Sequence, residues 1–247
     1  DYTPTLIVMP RIAFSFPISQ EANFYANYDV LAQRPPDGAF ASPYTYYNFR
    51  ELVASTDNDR FLGNPNLKPQ RTINYEVGFQ QKLTDFSKFK ISVLYREERD
   101  LIQIREYINA YPITYSTYGN SDFSTTKSFK LEYDMREHNN LRILANYTLA
   151  FSDGTGSSPT SSTGVAAKEL KYVFPLDFDQ RHTFYLMADY RFKSGDKYNG
   201  PKIGKFDILA NTGINLAFNL NSGQPYTSKE IPGGIGTSFA NRITDGS

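Results

Sequence analysis

The sequence predicts an all-β protein, organised as one antiparallel sheet of about eight long strands. Three observations carry this prediction. Apolar and polar residues alternate with period two over long stretches, as they do on the opposite faces of a strand. Short and long connections follow each other in turn between these stretches. No segment shows helical periodicity of useful length. Strands joined in this way form a meander of long hairpins.

The composition excludes several classes of protein. The chain has 247 residues, enough for one large β domain, and its net charge of zero gives no electrostatic case for nucleic acid as a partner. The absence of cysteine excludes a disulfide scaffold and a cysteine-ligated metal site. The 19 tyrosines and 19 phenylalanines suit strands with one apolar and one wet face. No apolar run approaches the roughly 18 residues of a membrane-spanning helix.

The strands follow one another in a regular order along the chain. The clearest stretch is 141–151, where Leu141, Ile143 and Tyr147 fall on one phase and Arg142 and Asn146 fall on the other. The alternation predicts strands at residues 11–16, 22–30, 72–82, 88–104, 123–135, 141–151, 181–192 and 206–221. Within a single domain of residues 1–247, the long connections are 33–70, 105–122, 152–179 and 222–247, and the short ones are 17–22, 83–88, 136–140 and 193–205.

Strand length and the partition of charge favour a section of a transmembrane β-barrel. Most strands supply the roughly 9–11 residues that cross hydrocarbon, whereas strands of globular proteins are usually about 5–6 residues long. Most charged residues of the strands occupy the polar phase, which we expect to face the lumen: Glu76, Lys90, Lys130, Glu132, Asp134, Arg142, Asp189, Arg191 and Asp207. Arg71, Lys127 and His182 fall on the other phase, near the loop-side ends of their strands, where they would reach water. The short connections are then periplasmic turns and the long ones extracellular loops. A soluble sandwich or a lipocalin-like barrel is the alternative, with the apolar phase turned inward.

Aromatic residues on the apolar phase support the membrane interpretation. Near the short turns they would form the aromatic girdle expected at the periplasmic interface: Phe16, Phe24, Phe79, Phe89, Tyr133, Phe192 and Phe206. A closed barrel of eight strands is the structural alternative to a section of a larger barrel, and it would require the first and last strands to pair.

Residues 62–79, LGNPNLKPQRTINYEVGF, resemble a signature of TonB-dependent outer-membrane receptors, in which an N-P-x-L-x-P-E segment leads into a strand with a Tyr-Glu pair and a closing Gly-Phe. Gln70 stands where glutamate is commoner. Residues 175–182 (PLDFDQRH) and 222–227 (SGQPYT) are similar to further segments of that family. Residues 153–157 (DGTGS) resemble the Oar-like subgroup, which carries a carboxypeptidase-regulatory-like domain.

The resemblance implies more than the alternation does. Such receptors have a barrel of about 22 strands, an N-terminal plug and a TonB box, so this chain corresponds to the C-terminal half of a barrel and contains no plug domain. The expected location is the outer membrane of a Gram-negative bacterium. The implied partners are outer-membrane lipid, the rest of the barrel with its plug, an energising TonB-type periplasmic protein, and a surface lipoprotein or larger envelope complex.

The resemblance implies uptake of a scarce nutrient through a polar lumen. The alternative is a receptor-like barrel that does not transport and instead serves as a scaffold subunit of an assembly or secretion complex. No catalytic, cofactor-binding or metal-binding residue is predicted, so the chain is not expected to be an enzyme. Tyrosines of the long loops are candidates for ligand contact, with packing between loops as the alternative: Tyr44, Tyr46, Tyr47, Tyr107, Tyr111, Tyr115 and Tyr118.

Overall fold

A computed structural model describes residues 6–36, 61–107, 115–161, 172–195, 198–204 and 206–226. These residues form strands and turns, which confirms the predicted all-β class. No helix among them is long and apolar enough to cross a membrane.

Eight strands form the body of the sheet, and each is antiparallel to its neighbours. They are β1 (Arg11–Pro17), β2 (Ala22–Gln33), β4 (Gln70–Thr84), β5 (Ser87–Tyr107), β6 (Tyr115–His138), β7 (Leu141–Gly154), β9 (His182–Arg191) and β12 (Gly213–Asn221). They lie side by side in that order. β1 and β12 do not pair with each other in the described residues, so these strands form an open sheet and not a closed eight-stranded barrel.

Four two-residue strands complete the described structure. β3 (Phe61–Leu62) pairs in parallel with β6, and β8 (Phe174–Pro175) pairs with β7. β10 (Lys202–Ile203) and β11 (Phe206–Asp207) form a separate small hairpin.

The register keeps the two phases apart across the whole sheet. One row of cross-strand partners is entirely apolar or aromatic: Phe24, Phe79, Ile91, Leu131, Tyr147, Phe184 and Leu220. The next row is polar: Gln80, Lys90, Glu132, Asn146, Tyr185 and Asn219. Because side chains alternate along every strand, these two rows lie on opposite faces of the sheet. We call them the apolar face and the polar face.

In the central strands β4, β5 and β6, the apolar face is the more exposed of the two. Val77 and Val93, which are direct partners on the apolar face, are 46% and 48% exposed. Ser92 and Ser128, on the polar face, are 2% and 7% exposed. A soluble domain buries its apolar face and exposes its polar one, so this arrangement is inverted. It fits a curved wall with a crowded polar interior and an apolar exterior.

The short connections are tight hairpins. β4 and β5 are joined through Asp85 and Phe86, and β6 and β7 through Asn139 and Asn140. Both asparagines have positive φ, at 50° and 72°. Two successive residues in the left-handed region define the type I′ turn, whose twist matches that of a two-residue hairpin. Asparagine tolerates this region better than most residues do.

The connection predicted over residues 105–122 is mostly strand. β5 continues to Tyr107 and β6 begins at Tyr115, so the two strands pair well beyond the apolar band. Register shifts between Glu98 and Ile102, together with a φ of 57° at Asp100, interrupt the alternation without ending the pairing. We call residues 97–107 and 115–125 the overhang; it extends roughly 35 Å at about 3.3 Å per residue.

The single strand predicted over residues 206–221 is wrong. Phe206 and Asp207 pair with the preceding hairpin strand, and the sheet strand begins only at Gly213. Asn211 adopts a φ of 60°, and the Thr212 amide donates to the Leu209 carbonyl, which closes a turn between them. Asp207 therefore does not lie on the polar face of the sheet; its carboxylate is 3.4 Å from the Lys202 ammonium.

Candidate functional site

The structure places most of the predicted lumen-facing residues on the polar face of the sheet. The described cross-strand pairs bring Lys90 opposite Glu132 and Arg142 opposite Asp189. Arg191, at the end of β9, lies opposite Gly213 and contacts Asp189 at 3.2 Å. Charges of opposite sign therefore meet across strands, and the wall is polar without a strong local field.

A cluster centred on Tyr25 forms the most connected part of this wall. The Tyr25 hydroxyl donates to Glu76 Oε1 at 3.0 Å, and the Lys90 ammonium lies 5.2 Å from the centre of the Tyr25 ring. Lys90 also approaches Glu132 at 3.6 Å. The ring of Tyr25 occupies the space above Gly78, where an added Cβ would come within 2.3 Å of the ring. Glycine at this position therefore allows the ring to cover the strand and reach Glu76.

A cavity of about 550 Å³ lies on the loop side of the sheet. Segments far apart in the sequence line it, and they mix charged, hydroxyl and apolar side chains. Its lining includes Arg34, Glu98, Leu101, Asp122, Ser124, Ser157, Leu176 and Phe178. A cavity of this size with a few placed polar groups has the dimensions of a small-molecule site.

Hydrogen bonds fix the polar groups at the base of the cavity. Ser124 Oγ donates to Glu98 Oε2 at 2.5 Å. The Gln103 side-chain amide donates to Asp122 Oδ2 and to Ser161 Oγ, each at 2.9 Å. Gln103 and Asp122 are 1% and 4% exposed, so this contact is held away from water. A buried polar network that is hydrogen-bonded in this way is rigid.

Two glycines of the 153–157 segment permit the loop to close over this base. A Cβ on Gly156 would lie 2.3 Å from Asp122 Oδ2 and 2.9 Å from Gln103 Nε2. A Cβ on Gly154 would lie 2.7 Å from the Phe123 carbonyl oxygen. These close approaches explain why the segment is rich in glycine.

The 62–79 segment is anchored to the overhang by side-chain hydrogen bonds. Asn64 Nδ2 donates to the Tyr118 carbonyl at 2.8 Å. Asn120 accepts from the Lys68 amide at 2.7 Å and donates to the Lys68 carbonyl at 2.8 Å. Leu67 packs with Ile102 and Tyr118 in a small buried cluster. The prolines and asparagine of this segment therefore hold the long connection against the extended hairpin.

The 175–182 segment is anchored to the end of β7. The Leu176 amide donates to the Ser152 carbonyl at 2.9 Å, and the Ser152 amide donates to Asp179 Oδ1 at 2.9 Å. Asp179 is 3% exposed, and Arg181 Nε lies 3.4 Å from its other oxygen. Leu176 is 1% exposed. The segment lines the cavity with Leu176 and Phe178, while the buried carboxylate of Asp179 anchors it to β7.

The comparison with protein families decides the identity of this sheet. The family described as "TonB dependent receptor-like, beta-barrel" matches residues 3–235. The chain belongs to this family. Its membership implies an outer-membrane location, and the transporter and receptor character of the family gives no indication of an enzyme. A comparison with curated proteins finds no match.

A solved outer-membrane transporter shows the same fold over part of its length. The outer membrane transporter YddB from Escherichia coli is 15% identical, with a TM-score of 0.54 over 85% of this chain and 32% of that chain. The FpvAI–pyocin S2 complex gives 15% identity and a TM-score of 0.49 over 76% of this chain and 20% of that chain. The receptor section described here thus spans about a third or less of those chains.

Of the tyrosines predicted for ligand contact, Tyr118 lines the cavity, whereas Tyr107 and Tyr115 do not. Tyr107 stacks on Tyr115 near the tip of the overhang, with ring centres 5.3 Å apart, and both lie away from the cavity lining. Tyr44, Tyr46, Tyr47 and Tyr111 lie outside the described residues. Within the described ranges, no group of three or more histidine, cysteine or acidic residues is arranged to hold a metal ion.

The residues that build the cavity of this receptor section were mostly missed by the sequence reasoning. Glu98 falls within the strand predicted at residues 88–104, and neither it nor Gln103, Asp122 and Ser124 belongs to a motif that predicts a site. The one available signal was the glycine pair of the 153–157 segment, because glycines in a loop indicate close approach of the backbone. The glycine pair indicates which loop covers the cavity, but it does not indicate that the carboxylate of Asp122 lies beneath that loop.

Proposed function

We propose that this chain is part of an outer-membrane receptor that takes up a scarce nutrient through the polar interior of its barrel. The observation that carries the proposal is the inverted sheet, with exposed valines on the apolar face and buried serines and paired charges on the other. A wall of this kind separates hydrocarbon from a polar passage. Membership in the receptor family supports it.

The loop-side cavity is the proposed place of solute recognition. Its polar groups, Glu98, Asp122 and Ser124, are held by hydrogen bonds, while Leu101, Leu176 and Phe178 supply apolar surface. Such a lining suits a solute with a donor-rich polar end and an apolar body, because fixed carboxylates orient donors and apolar walls exclude water. The proposed cycle also needs the plug and an energising TonB-type periplasmic partner.

Growth of a strain that lacks the full receptor tests this proposal. Each nutrient class is made limiting in turn, and the defect should appear in one medium only and should be reproduced by inactivating the TonB-type partner. Complementation with Glu98→Gln should restore growth poorly at low nutrient concentration. Glu132→Gln, which removes the same charge on the wall away from the cavity, should restore it well.

Two results would contradict the proposal. A defect in envelope integrity that is equal in all media and independent of the energising partner would favour the scaffold function instead. Equal complementation by Glu98→Gln and Glu132→Gln would exclude the cavity as the recognition site while leaving uptake intact.

A further inference from the structure

The apolar face changes character at its loop-side end. Between the row of Phe89 and Tyr133 and the row of Tyr75 and Tyr95, the strands carry no charged side chain on this face. Charged residues begin at the Tyr95 row and continue beyond it. On the strands three are basic and two are acidic, and Arg181, which precedes β9, brings a fourth cation to the ring of Phe151: Arg71, Arg99 and Lys127, with Glu97 and Asp153.

Two of these cations flank one exposed aromatic ring. Lys127 and Phe151 are direct cross-strand partners, and Lys127 is exposed with no ion pair among the described residues. The Arg181 guanidinium carbon lies 5.1 Å from the centre of the Phe151 ring. The Arg181 side chain is 52% exposed even though its Nε approaches the buried Asp179. A ring between two outward cations presents an apolar surface and two phosphate-binding groups together.

We propose that Lys127 and Arg181, on either side of Phe151, bind the phosphate of an anionic lipid in the membrane leaflet next to the loops. Charge complementarity selects this occupant, because the face below the two cations is apolar and can accept acyl chains, while the cations lie at the level of the headgroups. The inference rests on the proposed function in one respect, namely that the apolar face lies in a membrane.

A second pair of cations extends the same basic strip. Arg71 and Arg99 are direct cross-strand partners, an arrangement that is unfavourable for like charges unless an anion lies between them. Glu97 accepts from Arg99 Nε at 2.7 Å and balances that residue. Arg71 has no ion pair among the described residues and is exposed. It therefore provides a further place for a lipid phosphate along the strip.

Lipid binding to the full-length receptor tests the proposal. The receptor, stripped of lipid in a neutral detergent, is titrated with dioleoylphosphatidylglycerol or dioleoylphosphatidylcholine, and bound lipid is counted by native mass spectrometry. The unaltered receptor should prefer the phosphatidylglycerol. Lys127→Gln with Arg181→Gln should weaken its binding by about tenfold or more, since each basic residue near a membrane surface contributes roughly fivefold in affinity. Binding of the neutral lipid should not change.

The matched control removes two cations from the polar face, with Lys130→Gln and Arg142→Gln. It should leave phosphatidylglycerol binding within about twofold, because those residues face away from lipid. Arg181 also contacts Asp179, so Lys127→Gln and Arg71→Gln, made singly, provide variants that leave this contact intact; each should weaken binding by severalfold.

The outcomes separate the two proposals. Failure of the unaltered receptor to enter bilayers would overturn the proposed function. Entry into bilayers with equal binding of both lipids, or an equal loss in the control variant, would overturn the lipid site alone. Displacement of the bound lipid by inorganic phosphate at equal concentration would also overturn it, since the site would then recognise a free anion.

Discussion

Leu216→Arg tests which solvent meets the apolar face. Leu216 lies in the middle of β12, with Ala188 as its partner on β9 and Ile143 beyond it on β7. It is 56% exposed, so an arginine fits without a clash with the described residues. The substitution therefore changes the solvation of this position and little else.

Lipid and water, as the possible solvents of this face, predict different losses of stability for Leu216→Arg. An arginine on the lipid face near the bilayer midplane costs about 2–4 kcal/mol of barrel stability. That cost corresponds to a change of roughly 30- to 700-fold in the folding equilibrium. At a position exposed to water, a surface substitution usually stays within about 0.5 kcal/mol. The gap between these values is larger than the error of an unfolding titration.

Asn215→Arg is the matched control, one residue away on the polar face. Asn215 is the partner of Asp189, so an arginine there gains an attractive neighbour and should cost less than about 0.5 kcal/mol. Both variants of the full-length receptor are unfolded with guanidinium in lipid bilayers, and the free energies of unfolding are compared. Equal losses for the two variants, or a larger loss for Asn215→Arg, would refute the assignment of the faces.

Three further substitutions probe the loop side and one turn. Gly156→Ala should cost about 1–3 kcal/mol, because the buried amide–carboxylate bond beneath it must open, and hydrogen exchange of the overhang should accelerate. Asp179→Ala should cost about 1.5–3 kcal/mol and deprotect the Ser152 amide, whose buried acceptor it removes; unchanged exchange would contradict this. The hydrogen bond from Lys82 lowers the pKa of the Asp85 carboxyl in the turn below its ordinary value of 3.8. The ionised Asp85 therefore contributes stability above about pH 4 that is lost as the pH falls through the lowered pKa, so the small destabilisation by Asp85→Asn should be visible at pH 6 and should decrease as the pH is lowered below about 4.

The strands of the wall are predictable because lipid on one side and polar solvent on the other impose a strict alternation. Residues 141–151 and their partners on β6 and β9 keep that alternation except at the pair Leu144 and Met187, two apolar residues on the polar face, and the pairing matches the prediction there. The alternation gives a wrong prediction where apolar and polar residues alternate by chance outside a strand of the sheet. Phe206, Ile208 and Ala210 alternate like a strand, but the left-handed conformation of Asn211 separates them from the sheet.

The overhang and the cavity depend on contacts that no short pattern records. Beyond Glu98 the register shifts, so alternation no longer indicates which face a residue occupies. Asn120 reaches Lys68 across 52 positions in the sequence, and Gln103 reaches Ser161 across 58. Such pairs become visible only in three dimensions, which is why the family segments were recognised as motifs but the site that they enclose was not.

Because β5 and β6 extend beyond the apolar band, the protein has two parts that open differently. One is the set of strands within the band, and the other is the overhang. The part within the apolar band can unfold only by exposing its backbone to hydrocarbon, which makes local opening there very costly. The overhang lies beyond that band, so its opening would expose backbone to water, and its stability comes from its own buried contacts, such as the one between Gln103 and Asp122. A solute that closes the cavity would thus add contacts to the overhang and leave the wall unchanged. Binding of the solute would then increase the protection of the overhang amides from hydrogen exchange without changing the stability of the barrel.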